Sequence, residues 1–176
     1  MRNKRAFRWY WPWAEAKEAV WLEGMSRRGW HLARYAFGVY TFAEGEPREY
    51  LYRFDFSPDA SKDWEEYNAL YRDAGWEHVL SFGSWHYFRG EPGKVSTKEI
   101  YTDRESLIAK YRRLLAVLSL TFLPLILFLT RGYDSSPTPG PFSLFLAILR
   151  IVIFAVFLVL IYAVVRLLIL IRKLRR

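Results

Sequence analysis

Three histidines, His31, His78 and His86, are the residues from which this 176-residue chain would have to build a metal centre. Zinc needs ligands that converge at about 2.0–2.1 Å. The hairpin register expected around 76–87 sets His78 and His86 on opposite faces, so no metal site is predicted. The chain has no cysteine, which removes disulfides, thiolate ligands and a cysteine nucleophile. It also has no G-x-S-x-G elbow, phosphate-binding loop or paired-histidine zinc motif. Asp55 and His86 can be drawn as an acid–base pair, but no nucleophile is expected beside them. The residues therefore predict a non-enzymatic protein without a cofactor.

A second group has the chemistry of recognition. Period-two alternation along the expected strands puts Arg8, Tyr10, Arg34, Thr41, Arg53, Asp55, Glu77, Ser81 and His86 on one polar sheet face. Among them Tyr10, Arg34, Arg53, Asp55, Glu77 and His86 are the candidate ligand-binding residues, a surface for a small molecule or a protein. The same residues would also serve as a solvated sheet face with cross-strand ion pairs. The tyrosines and tryptophans offer aromatic walls that suit a small amphipathic ligand, although core packing accounts for most of them.

These residues have to be positioned by a unit of about 45 residues written twice. One copy runs from Phe7 to Pro47, the other from Tyr52 to Pro92. Each reads strand, helix, Gly-Trp, strand, Gly-X turn, strand, Gly-Glu-Pro. The first strand is expected at Phe7–Trp11. A helix follows from Pro12 to about Arg28, with Trp13, Ala16, Val20 and Gly24 as its buried stripe. Phe37-Gly38-Val39-Tyr40 and Phe82-Gly83-Ser84-Trp85 predict two-residue II′ hairpins, which puts Tyr35, Phe37, Tyr40 and Phe42 on one face. The first copy is one residue longer between Gly-Trp and Phe-Gly, and a β-bulge within His31–Ala36 would restore the phase. The cleanest strand is Glu49–Phe56. The helix after it, ending near Ala74, presents Trp64, Tyr67 and Tyr71. The predicted fold is α+β: a tandem βαββ repeat forming a six-stranded, largely antiparallel sheet with two helices on one face, followed by a two-helix transmembrane hairpin.

WLEGMSRRGWHL, the G-x-Y-x-F-x-x-GEP run at Gly38–Pro47 and Tyr50-x-Tyr52-Arg53 resemble the bacterial domain-of-unknown-function family 2812. The resemblance spans about Phe7 to Leu107. It implies genes beside PadR-like regulators and C-terminal membrane helices, and it assigns no activity. Arg27-Arg28 departs from the commoner small-Lys pair. Paired βαββ units also resemble gyrase-inhibitor-like effector-binding domains, which implies a groove for small amphipathic molecules by fold analogy.

The net charge of +8 is unevenly spread. Up to Arg113 there are 19 Lys+Arg against 17 Asp+Glu; beyond it there are 7 against one, Asp134. The excess flanks two apolar runs, and the near-balanced N-terminal part argues against a nucleic-acid partner. The N-terminus, broken by Arg8, reads as a strand and not as an export signal. Residues 1–98 are read as the duplicated domain and 99–113 as an amphipathic connecting helix, begun by a Thr102/Glu105 capping box. Spans follow at 114–130 and 142–171, around an external loop at 131–141 and before a basic tail at 172–176. Pro124 is expected to kink the first span. Arg112, Arg113, Arg150, Arg166, Arg172 and Lys173 are the membrane-anchor residues. By the positive-inside rule the chain is a two-pass protein of the bacterial inner membrane with both termini cytoplasmic. The expected function is a membrane-anchored sensor or regulatory module that recognises a small amphipathic ligand or protein. The alternative is an accessory subunit of a transport or envelope complex. The expected partners are the lipid bilayer and a small amphipathic molecule or another membrane protein.

Overall fold

The computed structural model describes residues 2–58, 60, 62–96, 104–130 and 141–175. The chain divides into two compact units, Met1–Ser106 and Leu107–Arg176. The first contains β1 (Asn3–Phe7), a 3-10 turn at Pro12–Ala14, α1 (Glu15–Ser26), β2 (Trp30–Ala36), β3 (Val39–Glu44), β4 (Leu51–Phe56), α2 (Trp64–Asp73), β5 (Glu77–Phe82) and β6 (Trp85–Gly90). Two helices follow, α3 (Arg104–Thr130) and α4 (Pro141–Arg175).

The six strands do not join into the single sheet expected from the sequence. They form two three-stranded antiparallel sheets, ordered β1-β3-β2 and β4-β6-β5. β2 and β5 run side by side without a hydrogen-bonded ladder. Tyr35 and Phe37 cross that seam to Phe82, at ring-centroid distances of 5.2 and 5.0 Å. Nor do the helices share a face. α1 lies against the inner faces of both sheets, meeting β2 and β4, while α2 covers the other side of the second sheet over β5.

The two hairpins differ in the phase of their turns. Both hairpins have two-residue turns, but the first is closed by the pair Ala36–Val39 and the second by Phe82–Trp85. In the first, Phe37 and Gly38 are the central residues, with φ of 45° and 81°. Two positive values define a I′ turn, so the expected II′ assignment is wrong there. In the second, Gly83 at φ 58° is the first central residue, as a II′ turn requires. Tyr35 and Tyr40 face inward with Phe42, as expected, and so do Phe82 and Trp85; Phe37 is left at the turn tip, and Ser81 and His86 face α2. The expected bulge is present, between Leu32 and Arg34, and a matching one lies between His78 and Leu80. The extra residue of the first hairpin is therefore absorbed by the turn.

β1 lies earlier than expected because Asn3–Phe7, and not Phe7–Trp11, pairs with β3. The buried stripe of α1 also differs. Val20 is exposed, and the buried positions are Glu18, Ala19, Leu22, Glu23, Met25 and Ser26. Three of those six are polar, so hydropathy alone points away from them. The core joins α1 to both sheets through Leu22, Met25, Leu32, Tyr40, Phe42, Tyr52, Phe54 and Tyr87.

α3 and α4 are each long and apolar enough to cross a membrane. α3 is continuous from Arg104, with Pro124 inside it. Phe122 of α3 meets Phe157 of α4 edge-to-face at 5.3 Å. Thr102 of the expected capping box and nearly all of the expected external loop lie outside the described residues.

Candidate functional site

The irregular segment between β1 and α1, the first turn of α1 and the inner face of the second sheet enclose a pocket of about 190 Å³. Eight aromatic rings line it: Trp9, Tyr10 and Trp11 from the segment, Tyr35 from β2, and Phe54, Phe82, Trp85 and Tyr87 from the second sheet. Two carboxylates, Glu15 and Glu18, complete the wall, and no lysine or arginine lines it. Trp11 stacks on Trp13 at 5.2 Å and meets Trp9 edge-on at 6.0 Å, which holds the mouth open as a set of rings. Pro12 starts the helical turn behind it, where a missing N–H is harmless.

Glu18 lies at the floor. Its Oε1 accepts hydrogen bonds from Tyr40 Oη at 2.7 Å and Tyr87 Oη at 3.1 Å, one donor from each sheet. Burial pushes its carboxyl above the usual carboxylate range, against the opposing pull of those two hydrogen bonds. Burial, with Glu18 close by, pushes the Tyr40 and Tyr87 hydroxyls up as well, so both remain donors. A buried carboxylate among π-faces is matched to an apolar group bearing a positive charge or N–H donors.

A second polar cluster lies beneath α2. Asp55 Oδ2 accepts hydrogen bonds from Tyr67 and Tyr71, both at 2.8 Å. Next to it, His86 Nε2 meets the Ser57 carbonyl at 3.2 Å and its Nδ1 meets Ser81 Oγ at 2.8 Å. A carbonyl only accepts, so the proton sits on Nε2 and Ser81 donates to Nδ1. Ser81 Oγ then accepts from His78 Nε2 at 2.9 Å. The bulge between His78 and Leu80 puts the two histidines on one face, their ring centroids 6.2 Å apart. Their expected placement on opposite faces is thus corrected. Among the described residues no three His, Cys, Asp or Glu side chains converge as a metal site. Burial, followed by the nearby His86, holds His78 below the usual histidine range.

The family model described as "Protein of unknown function (DUF2812)" matches residues 14–123. The chain belongs to this family. No curated protein and no solved structure matches it. The DUF2812 match runs from α1 into the middle of α3 and so includes both carboxylates of the pocket. Trp9 and Trp11 precede it, and α4 follows it.

In this DUF2812 chain the six residues expected to form one recognition face are dispersed. Tyr10 lines the aromatic pocket and accepts from Arg8 at 3.2 Å. Arg34 lies on the outer face of the first sheet. Arg53 bonds Glu23 of α1 at 3.2 Å and the Tyr52 carbonyl at 2.6 Å. Glu77 takes a bidentate pair of 2.7 and 2.8 Å from Arg89 across the strands. Asp55 and His86 are buried under α2, at 2% and 5% exposure, so the polar face of the second sheet is roofed and not solvated. Sequence reasoning missed Glu15 and Glu18, as well as Trp9, Trp11 and Trp85 as pocket walls. The available signal was a pair of acids three residues apart, on one helix face, directly after an aromatic run.

Proposed function

We propose that this chain is a non-enzymatic, membrane-anchored sensor or regulatory module. Its N-terminal unit, on the cytoplasmic side, recognises a small amphipathic ligand bearing positive charge. The observation that carries this reading is the pocket of eight aromatic rings with the carboxylates of Glu15 and Glu18 in its wall. The two βαββ segments are taken as copies of one unit, which their common strand order supports; the pocket then lies in the groove between them. The single helix α3, running from Arg104 to Thr130, supplies a stiff connection through which occupancy reaches a transmembrane hairpin of α3 and α4.

The test is thermal unfolding of the full chain in nanodiscs with benzyltrimethylammonium, its uncharged carbon isostere neopentylbenzene and benzenesulfonate. Only the cation is expected to raise the Tm, by an increment that grows with concentration as linkage demands, and Trp85→Ala should remove the effect. Absence of any shift with all three compounds overturns the reading.

One observation favours a second role, as an accessory subunit. Val117, Leu120, Pro124, Val156 and Leu160 line an apolar recess between α3 and α4. Such a recess suits another membrane protein's helix, and co-purification of a transporter or envelope enzyme from native membranes would support it.

A further inference from the structure

The outer face of the first sheet is bare where the second sheet carries α2. Its side chains fall into three cross-strand rows: Asn3, Ala43 and His31; Arg5, Thr41 and Arg34; Phe7, Val39 and Ala36. None of these nine is acidic. Arg5 and Arg34 flank Thr41 and line a groove of about 340 Å³, and among the described residues neither has a carboxylate partner. Two guanidinium groups on either side of one threonine repel each other until an anion sits between them.

The apolar row continues into the turn. Phe7 is 71% exposed, Phe37 75% and Trp9 57%. Gly38 binds them into one patch: its carbonyl accepts from Arg8 N, and Phe7 and Trp9 pack close to its α-carbon. Phe37 sits at φ 45°, where asparagine or glycine would be easier. The strained backbone at this position therefore holds a phenyl ring out into solvent.

We infer that this face docks on an anionic bilayer surface, with Arg5 and Arg34 on lipid phosphates and Phe7 and Phe37 in the interfacial layer. Exposed aromatics ringed by cations, without acids, match the composition of the membrane–water boundary. Covalent attachment to α3 also limits how far this unit can leave the bilayer. Only seven residues, 97–103, separate Ser96 from the start of α3, a reach of at most about 25 Å. Such a tether turns weak lipid contacts into a high local concentration. The inference needs no ligand in the pocket and no transmitted signal, although Trp9 belongs to both the patch and the pocket wall.

Brominated lipids test it. All eight tryptophans lie at or before Trp85 and none in α3 or α4, so quenching by bromine in the acyl chains reads the approach of the N-terminal unit alone. The full chain would be placed in nanodiscs of brominated phosphatidylglycerol or brominated phosphatidylcholine. The expected result is loss of about a quarter of the emission in phosphatidylglycerol, the share of Trp9 and Trp11, with much less in phosphatidylcholine. Each basic residue near an anionic surface contributes about fivefold in partitioning. Arg5→Glu with Arg34→Glu should therefore abolish the quenching while near-ultraviolet circular dichroism stays unchanged. Equal quenching in both lipids, quenching that survives the double reversal, or no quenching in phosphatidylglycerol each overturns the inference. In the last case a Phe37→Cys disulfide between chains sharing a disc would assign the face to a second copy instead.

Discussion

Glu18 shows how a single side chain can be stabilising in its contacts and costly in its charge. Its carboxylate satisfies two buried tyrosine hydroxyls, one from each sheet, yet burial raises its pKa from 4.5. A raised folded-state value means that the folded form binds the proton more tightly. The stability this gives is fully present below the unfolded value and is lost as pH rises through the folded one. Glu18→Gln keeps an acceptor for both tyrosines and removes the titration. Its Tm should therefore match the parent at pH 4 and exceed it increasingly towards pH 8, followed by tryptophan fluorescence of the full chain in detergent. Glu18→Ala leaves both hydroxyls without their acceptor and should cost about 1–3 kcal/mol at pH 4, a cost that shrinks towards pH 8 as the parent loses stability. A glutamine variant less stable than the parent at pH 8 would contradict this account. If the pocket takes a cation, the same glutamine should weaken its binding, so one residue connects stability to recognition.

The turn of the first hairpin sets which residues its tip tolerates. Gly38 at φ 81° has no room for a Cβ, which would lie 2.9 Å from the Phe7 ring and 3.1 Å from the Arg8 carbonyl. Gly38→Ala should therefore destabilise the first hairpin by at least about 1–2 kcal/mol. Phe37→Asn, which suits a left-handed position, should gain about 1 kcal/mol, less the lost contact with Phe82. Thermal unfolding of the two variants checks both signs. The order of strands and helices and the bulge near Leu32 were legible in the sequence, because Gly-Trp and Gly-X punctuate the periodic runs. The shared face of Tyr35, Tyr40 and Phe42 was legible too, but the type of the first turn and the face of His78 were not. Phe-Gly reads equally well as the start of either primed turn, and only the closing pair Ala36–Val39 tells them apart. The buried stripe of α1 was hidden for a different reason. Glu18, Glu23 and Ser26 look like solvent residues until the partners Tyr40, Tyr87, Arg53 and Tyr52 arrive from distant strands. The same blindness moved the candidate site. Asp55 and His86 attract attention as a polar pair but lie roofed under α2, whereas the pocket is assembled from aromatics that resemble ordinary core.

At the scale of the whole molecule the charges of the two long helices divide it into levels. α3 carries Lys110, Arg112 and Arg113 before a charge-free run from Leu114 to Thr130. α4 is 35 residues long, or ~52 Å at 1.5 Å per residue, well beyond a ~30 Å hydrocarbon core. Within it, 151–165 carry no charge and lie between Arg150 and Arg166. The separation of those two arginines, 16 residues, is ~24 Å along the axis. Snorkelling at both ends extends that to the thickness of the core. Arg150 would then reach one headgroup layer and Arg166 the other, with Arg172, Lys173 and Arg175 beyond it. By the positive-inside rule the basic clusters at the start of α3 and the end of α4 are expected on the same, inner side. Fusions of alkaline phosphatase and of green fluorescent protein at each terminus and near residue 135 would check it. Fluorescence is expected from both termini and phosphatase activity only from the loop. Phosphatase activity at either terminus would reverse the topology and put the aromatic pocket on the far side of the bilayer from cytoplasmic ligands. Arg150→Leu should leave the fusion pattern unchanged, because one outward arginine weighs little against the eight inner cations from Lys110 to Arg113 and Arg166 to Arg176. If it inverted the chain instead, Arg150, not the flanking clusters, would be the residue that orients it.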